Sequence, residues 1–469
     1  MYTITRNIKI LSFSLVVFGL LGIGYGFYNA PKTIEESKEM MANKHHDSHS
    51  SDSHGYDSHS SDSHGYDSHS SDSHSSDDSH SSDSHSSDDS HSYASESHEM
   101  SHDEHVFHQL ANRPWAALYV AAFFFFMISL GTLAFYAIQR AAQAGWSPVL
   151  FRVMEGITGY LLPGGLLVLV ILVLSVMHFN HLFIWMDPEI VEHDKIIKAK
   201  SGYLEPYFFL IRGFIYLLGW VLYRYFSRKL SIAQDNSNDN KNHIKNFKLS
   251  AGFLVFFLVT ESMMSWDWIM SIDPHWFSTL FGWYVFASMM VSGITTIALI
   301  SIYLKSKGYL PNVNDNHIHD LGKFMFGFSV FWTYLWFSQF MLIWYSNIPE
   351  EVVYFITRIE DYSITFWGMI VANFILPFTI LVSSNFKRVN WIIVMAGIII
   401  LFGHYIDVYN MIMPSAVGDQ WGIGIPEISS VMFFGGLFMY IVFSTLTKAP
   451  LEAKGDPFNE ESKRFVYPF

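Results

Sequence analysis

At 469 residues, with 50% hydrophobic and 17% aromatic side chains but only 15% charged ones, the chain is too apolar for an ordinary soluble domain and reads as an all-α integral membrane protein. Its formal net charge of −14 would suggest an acidic surface, yet residues 31–112 carry the whole of that excess and the remainder is close to neutral. The absence of Cys excludes thiolate-bound iron–sulfur clusters, covalent haem attachment, thiolate zinc sites and disulfides, and the absence of a phosphate-binding glycine loop, with short soluble loops, leaves no room for nucleotide hydrolysis.

Residues 1–30 hold the first apolar stretch, roughly 8–29, preceded by Arg6 and Lys9. This has the look of a secretory signal, but the run is long and the sequence Tyr28, Asn29, Ala30 lacks a small residue two before a cleavage point, which favours a retained transmembrane helix. Residues 31–112 are rich in Ser, Asp and His: Ser51–Ser60 recurs identically as Ser61–Ser70 and then decays into shorter units. Such a composition cannot bury a core and predicts a disordered outer segment, either a solvated linker or a weak scavenger of Zn²⁺, Cu²⁺ or Ni²⁺ through its imidazoles.

Nine more apolar stretches follow, at roughly 114–138, 149–178, 203–226, 248–271, 276–304, 321–346, 355–382, 389–411 and 427–447, each near the ~20 residues that cross ~30 Å of hydrocarbon. Most Lys and Arg fall at alternate ends of the spans, among them Arg140, Arg152, Arg224, Arg228, Lys305, Lys387 and Lys463 on one side. The positive-inside rule then places both termini in the cytoplasm. One outer loop departs from it, where Lys195, Lys198 and Lys200 are offset by Asp187, Glu189, Glu192 and Asp194. The chain divides into a first helix (1–30), the His-rich segment (31–112), two groups of four spans (113–271 and 272–411) and a last span with its cytoplasmic tail (412–469).

Charges inside the spans carry the chemistry, since each costs about 2.5–3.5 kcal/mol to insert and needs a partner or water. Arg212 and Glu261 each lie about nine residues from the outer ends of consecutive spans, ~14 Å deep at ~1.5 Å per residue, which predicts a facing pair: a buried staple, or part of a proton relay. Asp267 lies nearer the outer face. His404 and Asp407, three apart, share a helix face, where the carboxylate can orient the imidazole for proton release outward, or both can serve as polar glue between helices. Asp267 precedes Pro274 by the same interval as Asp407 precedes Pro414, and four spans separate them, which points to a parallel repeat of two four-helix bundles with both carboxylates at outward helix ends. Glu155, near the opposite face, is the acid placed to take up protons there, or a carboxylate that reaches the surface. No haem is expected in this chain, because only His404 lies well inside a span, with His178 and His181 at the edge of another.

In combination, the run SWDWIMSIDPHWFST (Ser265 to Thr279), the run FSQFMLIWYSNIPEE (Phe337 to Glu351), GHYIDVY (Gly403 to Tyr409) and GWS (Gly145 to Ser147) resemble the ActF subunits of bacterial alternative complex III, within the NrfD and polysulfide-reductase membrane-anchor family. The likeness covers nearly all of 113–447 and the first helix, and leaves out the His-rich insert. It implies two four-helix bundles with peripheral first and last helices, no cofactor in this chain, and a place in a quinol:cytochrome c oxidoreductase of the bacterial inner membrane that oxidises menaquinol or another quinol. The partners it implies are a sister membrane subunit, ActC, to which the quinol site is usually assigned, multihaem and monohaem cytochromes c, an iron–sulfur subunit and a terminal oxidase, with no nucleic acid. The residues themselves also fit a stand-alone proton-coupled secondary transporter using Arg212 or Asp267, or a purely structural scaffold.

Overall fold

The computed structural model describes residues 2–50 and 102–466, and every regular element among them is a helix. Ten are long and apolar enough to cross a membrane: α1 (Arg6–Tyr28), α2 (Val106–Ala141), α3 (Pro148–Val176), α4 (Pro206–Gln234), α5 (Lys241–Ile272), α6 (Phe281–Ser306), α7 (Asp315–Ser346), α8 (Ser363–Leu381), α9 (Asn390–Val417) and α10 (Ile425–Leu446). The chain is therefore an all-α, multi-pass membrane protein, as its hydropathy leads one to expect.

Lys32–Phe107 cluster as a unit apart from the rest. Within 31–112 the expectation of disorder is corrected at both ends. Ile34–Ser50 form a helix, and the helix that becomes α2 begins at His102. The helix formers from Ile34 to Ala42, with Glu35 and Glu36 in the first turn, and Asp103 and Glu104 at the other start, explain why. The Ser51–Ser70 repeats and most of the His lie outside the described residues.

In the main body α3 packs on α4 and α4 on α5, while α6 packs on both α7 and α9, and α8 on α9. The first and last helices, α1 and α10, run along one another. The two groups of four meet where their first helices cross. A Cβ on Gly131 of α2 would lie 2.1 Å from the Met289 carbonyl oxygen of α6, and one on Gly293 of α6 would lie 2.7 Å from the Thr132 nitrogen of α2. Only glycine at both positions lets the backbones approach so closely, in the small-residue manner of membrane helices. The end of the body where α4 and α6 begin and α5 and α9 finish is here called distal, the opposite end proximal.

Two spans differ from the sequence reading. The stretch expected to run unbroken over 355–382 is split: Pro349–Glu360 form a separate helix that buries Tyr354, Phe355 and Arg358 and exposes Val353 and Ile356, and α8 starts only at Ser363. Arg358, Glu360 and Asp361 in close succession suit a helix at the edge of the apolar body better than one inside it. The ninth span, expected to end before Pro414, continues to Val417 with Pro414 inside it. Asp407 therefore does not fall at a helix end. Proline lacks the N–H that would bond the carbonyl four residues back, that of Asn410; the Arg358 Nε donates to it at 3.0 Å instead.

Candidate functional site

In the first bundle, Pro206 opens α4 at a position that tolerates its missing N–H, and the Glu205 carboxylate accepts from the Phe208 N–H at 2.5 Å. Arg212 thus stands near the distal start of α4, and its partner is Asp267, not the Glu261 expected from span depths. Arg212 Nε and Nη2 donate to Asp267 Oδ2 and Oδ1 at 2.8 and 2.9 Å, a bidentate pair. Tyr216 donates its hydroxyl to Oδ2 at 2.9 Å, Arg212 Nη1 bonds the Tyr203 carbonyl at 3.0 Å, and the Tyr203 ring covers the guanidinium at 4.0 Å. The reason is axial position: Glu261 lies six residues, ~9 Å, before Asp267 on α5 and so deeper from the distal end. Asp267 is fully buried, and Glu261 is buried with an Oε1 that meets no hydrogen-bond partner.

The second bundle builds a different site from the same residue type. Asp407, 0% exposed, sits roughly three turns before the end of α9 and gathers donors from two neighbouring helices. Tyr284 of α6 donates to Oδ1. Ser288 of α6 and the Trp332 indole of α7 donate to Oδ2, each at 2.9 Å. His404, one turn back on α9 and also 0% exposed, sets Nδ1 at 2.9 Å from Ser288 Oγ and 3.3 Å from Asp407 Oδ2, so the pairing read from their spacing is present. With Ser288 donating to the carboxylate, Nδ1 carries the imidazole proton and Nε2, which has no partner, is left as an acceptor.

On the proximal side of His404, α8 opens into a π-turn over Val371–Ile375. Such a turn re-aims side chains and often marks a functional site. The Asn373 carboxamide lies against Gly403, where a Cβ would come within 2.1 Å of its Oδ1, and neither polar atom of this fully buried side chain has a partner. Thr295, Ser301 and Ser329 on α6 and α7 likewise have buried hydroxyls without partners. Tyr284, Ser288, Trp332 and Asn373 were invisible to the sequence reading because nothing separates them there from ordinary aromatic and small polar packing.

Glu155 is neither a lone acid nor at the surface: it is 3% exposed. Arg152 Nη1 donates to its Oε2 at 2.7 Å and Tyr136 to its Oε1 at 3.2 Å. Arg152 also pairs with Asp235 at 2.5 Å, and Arg140 pairs with Asp456 at 2.6 Å while bonding Tyr136 and Ser231. Burial opposes charge on Asp456, but His243 at 3.6 Å, Arg140 and the Phe458 N–H outweigh it and hold the carboxyl below its ordinary value. This network ties the segment after α10 to the proximal ends of α2, α3 and α4, an arrangement suited to holding helices together.

Among the described residues no group of three or more His, Asp or Glu could hold a metal ion. No protein-family model and no curated protein matches this sequence.

Proposed function

We propose that this chain is a cofactor-free membrane subunit of a quinol-oxidising respiratory complex, anchoring its partners and carrying protons through its second bundle. The observation that supports proton carriage is the Asp407 cluster. A fully buried carboxylate without an Arg or Lys partner accepts from Tyr284, Ser288 and Trp332 beside an imidazole whose far nitrogen is free. Each of these groups except the indole can both take and give a proton, so a proton reaching His404 Nε2 can leave Nδ1 for Asp407 and pass to Tyr284. The Arg212–Asp267 pair, locked on both sides, supports a structural role for the first bundle instead.

The assignment to a complex rests on the resemblance of the Ser265–Thr279, Phe337–Glu351 and Gly403–Tyr409 runs to ActF. In that reading the distal end faces the periplasm of a bacterial inner membrane, both termini are cytoplasmic, and haem c and iron–sulfur clusters reside in partner subunits, with quinol as the substrate of the assembly. Purification of the native protein in mild detergent tests it: cytochromes and an iron–sulfur subunit should accompany the chain, with a haem c spectrum. A chain that remains intact and active without them would be a transporter.

A further inference from the structure

At the distal end a small cavity of about 20 Å³ lies between α7, α9 and the Pro349–Glu360 helix. Tyr284, Gln339, Arg358 and Asn410 line it together with Trp336 and Phe366. Three of these side chains are at least 95% buried and carry a polar atom with no partner: Arg358 Nη2, Gln339 Oε1 and Asn410 Oδ1. Arg358 is fixed there by its bonds to the Asn410 carbonyl at 3.0 Å and the Tyr354 carbonyl at 2.7 Å, and by its guanidinium lying 3.4 Å over the Tyr354 ring. Among the described residues it has no carboxylate partner within ion-pairing distance.

A buried water needs roughly 10–15 Å³ of such space and two to four polar partners, and it repays the desolvation of the groups it meets. This cavity has the room, one unpaired donor and two unpaired acceptors. Tyr284, also on its wall, is the residue that donates to Asp407.

We infer that this cavity is a water-binding site that forms the outward limb of the Asp407 proton path, with Gln339, Asn410 and Arg358 as positioning residues. The proposal rests on the proton-carrying reading of the second bundle. In the transfer step the Tyr284 hydroxyl passes its proton to the cavity water, forming hydronium, while its oxygen takes the proton held on the Asp407 carboxyl. The phenol is regenerated, the carboxylate is left ionised, and the hydronium proton moves on toward the distal surface. The Arg358 charge raises the energy of hydronium at this point, so the proton does not rest there.

Two measurements on the intact complex test this. A structure at a resolution that shows ordered water elsewhere in the protein should show at least one water within hydrogen-bond distance of Arg358 Nη2, Gln339 Oε1 and Asn410 Oδ1. In proteoliposomes, Gln339→Met and Asn410→Leu, which keep shape but remove the acceptors, should slow proton release roughly 10²-fold, the scale of a lost proton-transfer partner, with subunit composition unchanged. Gln339→Glu, which restores an acceptor, should recover most of the rate if either variant proves hard to assemble. A dry cavity, or wild-type proton release in both apolar variants, overturns the proposal. Ordered water in a wild-type complex that releases no protons would instead remove the functional reading and leave the hydrated site standing.

Discussion

Arg212 and Asp267 form a two-bond ion pair, 2.8 and 2.9 Å, between the distal ends of α4 and α5, with both side chains buried. Its counterpart in the second bundle is a carboxylate held by hydroxyl, phenol and indole donors and no guanidinium. One acid is locked as an ion; the other sits among groups that exchange protons.

Arg212→Ala should therefore leave a stranded carboxylate and cost about 3–5 kcal/mol, seen as loss of folded protein in detergent. Asp267→Asn should be damaging for the mirror reason, an uncompensated guanidinium. Glu261→Gln should be nearly silent in the same assay, because Glu261 makes no ion pair among the described residues. If Glu261→Gln unfolds the protein and Arg212→Ala does not, the pairing described here is incorrect.

The crossing of α2 and α6 is the next point of sensitivity. Gly131→Leu forces a side chain into the Met289 backbone and should lower thermal stability by more than the ~1–3 kcal/mol of ordinary overpacking. Gly252→Ala, with nothing within 4 Å of the added carbon, should be neutral or gain up to ~1 kcal/mol of helix propensity. Equal melting temperatures for the two variants would show that the bundles do not meet at this contact.

Asp456 gives a pH signature. Its folded carboxyl ionises below the ordinary 3.8, so its contribution to stability is fully present above that value and is lost as pH falls through the folded value. The difference in unfolding temperature between the wild type and Asp456→Asn should be constant from neutral pH down to about 5 and shrink below about 4. A difference that stays constant down to about pH 3 would mean that ionisation of this carboxyl does not set the strength of the contact.

Much of the fold was legible because apolar runs of this length have one solution in a bilayer. The Arg212 partner was not, because counting residues from span ends places a Cα and not the end of a long side chain, and a slip of six positions separates Glu261 from Asp267. No partner for Arg358 was legible in the sequence; it is buried because Pro414, continuing inside α9, frees the Asn410 carbonyl for it. The π-turn that brings Asn373 to Gly403 leaves no sequence signal at all. His404 and Asp407 were readable, since a three-residue interval on a helix requires no knowledge of tertiary packing.

The most direct test of the account is Asp407→Asn in the native complex reconstituted in proteoliposomes, with quinol oxidation by an artificial acceptor and proton release recorded together. Asn keeps the shape and two of the hydrogen bonds but cannot carry a proton, so assembly should be intact while proton release coupled to turnover slows by roughly 10²-fold. Wild-type turnover and proton yield in Asp407→Asn would contradict the account and make the second bundle, like the first, a scaffold.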